Sequence, residues 1–266
     1  MKVFISADIE GVTTTCRWEE ADTNHGSYHL HAEQMTNEVL AACEGAIAAG
    51  ATKIWVRDGH GGGNNINPTR LPKETTLIRG WSQHPDFMVE GINNSFDAAM
   101  FIGYHSAAGR NGNPMSHTMS GRHTGIRING ILASEFMIYS WAAARHGVPT
   151  VFLAGDKMLC DDYADLHPSL VSVAVKDGIG GAVFCRSIMA TLPEIREKSE
   201  RALKQDLNAA KITLPKSFDV EVFYKEHTHA EKVSHFPGVT KINDNVVKFI
   251  RNDFYEVLRT LLWIIY

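Results

Sequence analysis

Cysteine is scarce in this chain: Cys16, Cys43, Cys160 and Cys185 are the only four in 266 residues. No two stand in a C-x-x-C spacing, which argues against zinc–thiolate knuckles and a disulfide framework and favours a reducing, cytoplasmic setting. An excess of either charge is missing too. The formal net charge is −4 and the pI near 6.3, so nothing suggests a nucleic-acid partner. Long apolar runs are absent: none approaches the ~20 residues that span a bilayer, so no membrane partner is expected. The opening apolar run is cut short by Asp8 and Glu10, which does not fit a signal peptide. There is no G-x-x-x-x-G-K-[ST] phosphate loop, no G-x-S-x-G nucleophile elbow, no internal repeat and no low-complexity linker.

What is present is ordinary for a globular enzyme in bulk: 44% hydrophobic and 21% charged residues, in a chain long enough for a substantial core. Thirteen histidines are more than such a chain usually carries. Continuous apolar runs at residues 3–8, 53–58, 98–103 and 150–156, with a shorter one at 171–176, read as buried strands. Helical patterns lie between them: residues 31–49, stopped by Gly50, and an apolar helix opened by Glu135. This alternation predicts an α/β fold, three-layer α/β/α with a mostly parallel central sheet. Asn129-Gly130 predicts a hairpin turn within residues 122–131. A charged amphipathic helix is expected from Pro193 to about Ala210, a half-exposed strand over Asp219–Tyr224, and a last helix reaching from Val246 to the end. The chain reads as a single domain over residues 1–266, with residues 211–240 as a small secondary lobe.

Three of the predicted strands end on cation-binding groups: Asp8 with Glu10, Asp58 with His60, and His105. Strand alternation would put Asp8 and Glu10 on one side, with Ile9 turned away. Glu135 adds a further carboxylate, and His117 lies in a polar loop of Gly, Asn and Ser. Mixed carboxylate and imidazole donors suit Zn²⁺ or Mn²⁺ rather than Ca²⁺ or an iron–sulfur cluster. Two carboxylates at one strand end repel unless a cation or proton lies between them, and a dinuclear site with a shared carboxylate answers this. Each residue also has an ordinary reading. A strand-end acid caps a helix or turn, Asp58 forms a turn, His60 is a loop histidine in Gly-rich sequence, and His105 is a core histidine bonded to a backbone carbonyl. Their joint placement at strand ends is what favours the metal. His25, His29 and His31, and the pair His227 and His229, read as solvated surface groups. The Gly61-Gly62-Gly63 run is expected to let backbone approach a metal or substrate closely.

Taken in order, Asp8-Ile-Glu-Gly, Asp58-Gly-His60, Gly103-Tyr-His105, Met115-Ser-His117-Thr, the Glu after the hairpin and Ala154-Gly-Asp156 resemble the M55 metallopeptidases. The resemblance runs from end to end. It implies D-aminopeptidase activity and two zinc ions per subunit (Mn²⁺ or Co²⁺ as alternatives). The zinc ions would be held by Asp8, shared by both, with Glu10, His60, His105 and Glu135. It places the catalytic histidine at His117, and puts Asn64 and Asn65 beside the metal site in a substrate role. It also implies a homodecamer of two stacked pentameric rings enclosing the active sites. The Gly61–Gly63 run and residues 13–29 depart from the family pattern and leave substrate identity open.

The function expected is removal of N-terminal residues from short peptides, D-amino-acid peptides such as D-Ala-D-Ala by resemblance. The metals would polarise the scissile carbonyl, and His117 would act as general acid/base or nucleophile. Asp58 would orient a zinc ligand. An L-aminopeptidase or another metal-dependent amidase is the rival within the class. A non-catalytic metal- or peptide-binding protein is the rival outside it. A histidine standing free beside a completed metal shell counts against the binder.

Overall fold

Apolar side chains on both faces of a strand can be buried only between two layers, and that requirement shapes this chain. The computed structural model describes residues 1–266. Its first half runs β1 (Lys2–Ala7), α1 (Trp18–Ala21), α2 (Tyr28–Ala48), β2 (Lys53–Asp58), β3 (Thr75–Ile78), β4 (Ala98–Tyr104), β5 (His123–Ile128) and β6 (Ile131–Leu132). Then come α3 (Glu135–Arg145), β7 (Thr150–Asp156), α4 (Lys157–Ala164), β8 (Val171–Ile179), β9 (Ala182–Cys185) and α5 (Ile188–Lys204). The chain closes with β10 (Phe218–Tyr224), α6 (His227–Ser234), β11 (Thr240–Lys241), β12 (Val246–Arg251) and α7 (Phe254–Ile265).

Seven strands form the central sheet in the order β3-β2-β1-β4-β7-β8-β9. All pairings are parallel except β8 with β9. Side chains alternate between its faces. Val3, Ile5, Val56, Met100 and Ile102 join Met35, Val39 and Ala46 of α2 and Ile195 and Leu203 of α5 in one core. Phe4, Phe101 and Leu153 face the other way, against Phe136 and Tyr139 of α3 and against a second sheet. That sheet is antiparallel, in the order β11-β12-β10-β5-β6, and α7 packs on it through Phe254, Val257, Leu258 and Leu261. Central strands β1 and β4 are neighbours, so their C-terminal ends, and the loops that leave them, lie side by side. That is where an open parallel sheet presents its ligands.

Several expectations need correction. Residues 246–251 are a strand paired with β10, not the start of the last helix. Their β-branched and aromatic side chains suit a ladder, and Asp253 then caps α7 by accepting from the Tyr255 N–H at 2.7 Å. Helix α5 begins at Ile188, five residues before Pro193, and stops at Lys204, short of Ala210. Pro193 lies in its second turn and removes one intrahelical donor there. The second sheet takes strands from residues 123–132 and 246–251 as well as from the 211–240 stretch. The hairpin is as expected: Asn129 and Gly130 both have positive φ, 52° and 81°, as a two-residue turn of that hand requires.

Candidate metal centre

Strand β1 ends at Ala7, so Asp8 and Glu10 lie on a turn rather than on an extended strand. Their carboxylates converge because Ile9, fully buried, pins the turn into the core between them. The turn presses against the end of β4. The Gly11 N–H donates to the Gly103 carbonyl at 2.7 Å, and a Cβ on Gly11 would stand 1.8 Å from the Tyr104 oxygen. Gly103 has φ +72°, and a Cβ there would meet the Asp8 oxygen at 2.2 Å. Any side chain at either position would force the two strand ends apart. The glycines of the two motifs thus serve one backbone contact. Gly61 and Gly62 make no such approach to the carboxylates. Gly63 meets the backbone of Gly80.

Three imidazoles face the carboxylates. His60 Nδ1 is 3.0 Å from Glu10 Oε2 and 3.4 Å from Asp8 Oδ1. His105 Nε2 is 3.5 Å from Asp8 Oδ2 and 3.8 Å from Glu135 Oε1. His117 Nε2 is 3.5 Å from the same Glu135 oxygen, and its ring stacks on His105 with centroids 4.4 Å apart. The other nitrogen of each ring is anchored on a backbone carbonyl: His60 Nε2 on Ala21 at 2.9 Å, His105 Nδ1 on Ser106 at 3.0 Å, and His117 Nδ1 on Met115 at 2.9 Å. A neutral imidazole that donates through one nitrogen carries a lone pair on the other. Each of the three lone pairs then points at a carboxylate oxygen, an arrangement that repels unless a cation or a proton stands between. His105 Nε2 and Glu10 Oε2 are buried without a hydrogen-bond partner. Buried orphan atoms of this kind mark the place of an ion, a water or a catalytic role. The donor set, oxygen and imidazole nitrogen, fits zinc.

Charge is uneven across the centre. Burial, then the charges of Glu10 and Glu135, hold the Asp8 carboxyl well above the usual carboxylate range. Burial would raise Glu10 as well, but facing His60 outweighs it and holds Glu10 well below. Burial likewise opposes charge on His60, yet Glu10 and Asp8 raise it overall. His105, fully enclosed, is lowered by burial and by His117.

The supports around the centre differ from expectation. Asp58 touches no imidazole. Its carboxylate accepts from the N–H groups of Asn65 and Ile66 at 2.6 and 2.8 Å and from the Asn65 amide at 2.7 Å. Asn65 in turn donates to the His60 carbonyl at 2.8 Å, so Asp58 shapes the loop that carries His60. Asn64 and Asn65 line a separate surface hollow beside Tyr28 and Arg79. His31 is buried and bonded to the Thr14 hydroxyl at 3.1 Å rather than solvated, whereas His25, His29 and His227 are exposed. Glu135 begins α3, where the helix dipole favours its charge, and its Oε1 accepts the Met119 N–H at 2.6 Å.

This geometry is the setting for three comparisons. A family profile described as D-aminopeptidase, Peptidase M55, matches residues 1–263. The chain belongs to the M55 peptidase family. A D-aminopeptidase of Bacillus subtilis (strain 168) is 29% identical to this M55 chain over 264 residues, 98% of the chain and 96% of the relative. The solved structure titled "Zn-dependent D-aminopeptidase DppA from Bacillus subtilis, a self-compartmentalizing protease" superposes with a TM-score of 0.93 at 28% identity, covering 100% of this chain and 97% of that one. As a member of M55 the chain is a hydrolase, an aminopeptidase.

Two features of this M55 centre were not read from sequence. Lys176 of β8 is buried, and its ammonium donates to the carbonyls of Glu10, Val12 and Thr15, clamping the turn that carries the carboxylates. The Asn113 amide adds a bond to the Glu10 carbonyl at 2.9 Å. A lysine inside a strand of otherwise apolar inward residues was the available signal. The second feature is the cavity in front of the carboxylates, about 510 Å³, walled by Trp81, Phe87, Met119, Leu262 and Tyr266. These residues come from segments with no recognisable motif.

Proposed function

We propose that this M55 chain is a dinuclear zinc D-aminopeptidase whose single peptidase domain removes the N-terminal residue of short peptides. One observation carries the dinuclear reading: the two oxygens of Asp8 divide between His60 and His105. Asp8 Oδ1, Glu10 and His60 form one donor set. Asp8 Oδ2, His105 and Glu135 form the other. Zinc held there supplies the positive charge that polarises a scissile carbonyl and acidifies water. The same zinc would also take the free amine of a peptide N-terminus, and no Lys or Arg lines the cavity to oppose the approach of that end. His117, half-buried with Nδ1 fixed on the Met115 carbonyl, turns Nε2 into the cavity. It can take a proton from the attacking water there and return it to the leaving amine.

A second reading makes His117 a metal ligand, favoured by its grouping with His105 and Glu135 within 4.8 Å. Zinc content of His117→Ala separates the two. The reading as a whole is tested with D- and L-aminoacyl p-nitroanilides, with and without chelator. Chelator-sensitive turnover of the D series is expected. Zinc binding with no turnover of any compound would favour a binder instead.

Assembly belongs to the same proposal. A homodecamer of two stacked pentameric rings is supported by the relative's description as self-compartmentalizing. Large apolar side chains left exposed, Phe184 at 68%, Met189 at 80% and Trp263 at 68%, are the kind that subunit contacts cover. Light scattering should report a ring-sized particle, and a monomer at micromolar concentration would refute it. The free cysteines support a cytoplasmic location, and no helix is long and apolar enough to cross a membrane.

A further inference from the structure

Beside the carboxylates, part of the cavity wall is a run of neighbouring aromatic rings. Trp81 stacks on Phe87 with centroids 4.2 Å apart and planes 21° from parallel, and Phe87 meets Tyr266 at 5.5 Å and Tyr139 at 6.5 Å. This surface is tied to the metal centre at both ends. The Trp81 indole donates to the Gly61 carbonyl at 2.8 Å, next to His60, and the Tyr266 hydroxyl donates to the Met119 carbonyl at 3.0 Å, two residues from His117. The Arg57 guanidinium lies over the Trp81 ring, 4.0 Å from its centroid, and holds that ring in place.

Backbone strain gathers on the same wall. Four residues other than glycine have positive φ, and three of them, Gln83 (69°), Phe87 (44°) and Met119 (66°), line this cavity. The fourth, Asn129, is explained by its hairpin turn. A bulky residue such as Phe87 in the left-handed region costs energy, and conformations of that kind persist mainly where a binding site requires them. Tyr139 lines the cavity too, and its buried hydroxyl has no partner within the fold. The cavity, about 510 Å³ in all, is lined by the metal-binding residues and by this aromatic wall together, so a substrate held at the one lies within reach of the other.

We infer that this wall is the subsite for the side chain of the substrate's N-terminal residue, and that it selects a large apolar or aromatic side chain over alanine. The inference rests on the aminopeptidase reading, with the free amine of the substrate at the metal centre and its side chain against Phe87, Trp81 and Tyr266. Each methylene added in a fitting apolar pocket is worth about 10–200-fold in kcat/KM.

The test uses the zinc-loaded full chain and simple amino-acid amides, so that only the side chain varies and the leaving group is always ammonia. D- and L-phenylalaninamide, leucinamide and alaninamide are compared. Within whichever series is turned over, kcat/KM for phenylalaninamide should exceed that for alaninamide by at least about 10-fold. Equal rates, or a preference for alaninamide, overturn the subsite and leave the aminopeptidase reading standing. No turnover of any amide overturns both. Leu262→Trp, which fills the cavity from α7, should lower the phenylalaninamide-to-alaninamide ratio by at least about 10-fold. A merely structural change would lower both rates together and leave the ratio where it was, which would also overturn the assignment.

Discussion

Asp8→Asn should have opposite effects on stability with and without metal. In the metal-free protein the Asp8 carboxyl is held well above the usual carboxylate range, by burial first and then by Glu10 and Glu135. A carboxyl raised on folding opposes folding. The penalty is absent below the unfolded pKa, near 3.9, and grows to its full size as pH rises through the folded value. Asparagine carries no such penalty at any pH. It keeps the oxygen that accepts the Ile9 N–H at 2.9 Å, and it can turn an N–H toward the orphan His105 Nε2. Under chelator at neutral pH the variant should therefore melt above the parent, with the difference vanishing as pH falls toward 4. Zinc reverses the order. A ligand at 100 times its dissociation constant stabilises the fold by about 2.7 kcal/mol per site, and a protein of this size gains about 2–4 °C per kcal/mol, so roughly 5–11 °C per site. The variant forfeits this at both sites if Asp8 is shared, whereas Glu10→Gln forfeits it mainly at one. Scanning calorimetry with and without chelator, together with zinc analysis, decides the matter. An Asp8→Asn protein that holds two zinc ions at full occupancy would refute the bridging assignment. One that melts below the parent without metal would refute the electrostatic argument.

His117→Ala should stay folded and keep its zinc while kcat falls by about 10²–10⁴, the size of a general acid/base contribution, with little change in KM. A zinc-replete variant with near-parental kcat would remove His117 from the mechanism. Lys176→Met removes the ammonium that ties the carbonyls of Glu10, Val12 and Thr15 together and loosens the turn that carries the carboxylates, leaving the Asn113 amide on the Glu10 carbonyl. Its zinc affinity, measured by competition with a chromophoric chelator, should fall by about 10–100-fold, as for losses of support behind a metal ligand. Unchanged affinity would make Lys176 a stability residue only.

The central sheet was legible because strands buried on both faces are written as unbroken apolar runs. The runs at 53–58 and 150–156 coincide with β2 and β7. Residues 246–251 were not legible. Their apolar positions also fit a helical stripe continuing into α7, and only pairing with β10 made them a strand. The convergence of Asp8 and Glu10 was foreseen for a different reason from the one the structure gives. Alternation along a strand was expected, whereas a turn anchored by Ile9 and by the contact between Gly11 and Gly103 brings them together. In the same way Asp58 was seen as a partner for an imidazole. The imidazoles in fact bond to the carbonyls of Ala21, Ser106 and Met115, donors and acceptors that every residue carries and no sequence pattern marks.

The difference between the metal centre and the aromatic wall shows why the one could be read and the other could not. Asp8 and His105 follow directly on strands of the parallel sheet and His60 stands two residues past another, so predicting the sheet already lines them up on one edge. Trp81 and Phe87 stand in the connection between β3 and β4, and Leu262 and Tyr266 at the far end of α7, which belongs to the other core. Nothing in their local sequence distinguishes them from ordinary core or surface aromatics. They meet only because α7 packs beside α3, which bears Glu135 and Tyr139. Substrate preference in this fold is thus set by how the second layer docks on the first. It can change through residues in the 81–87 connection and on α7 while the strand ends that hold the metal stay as they are.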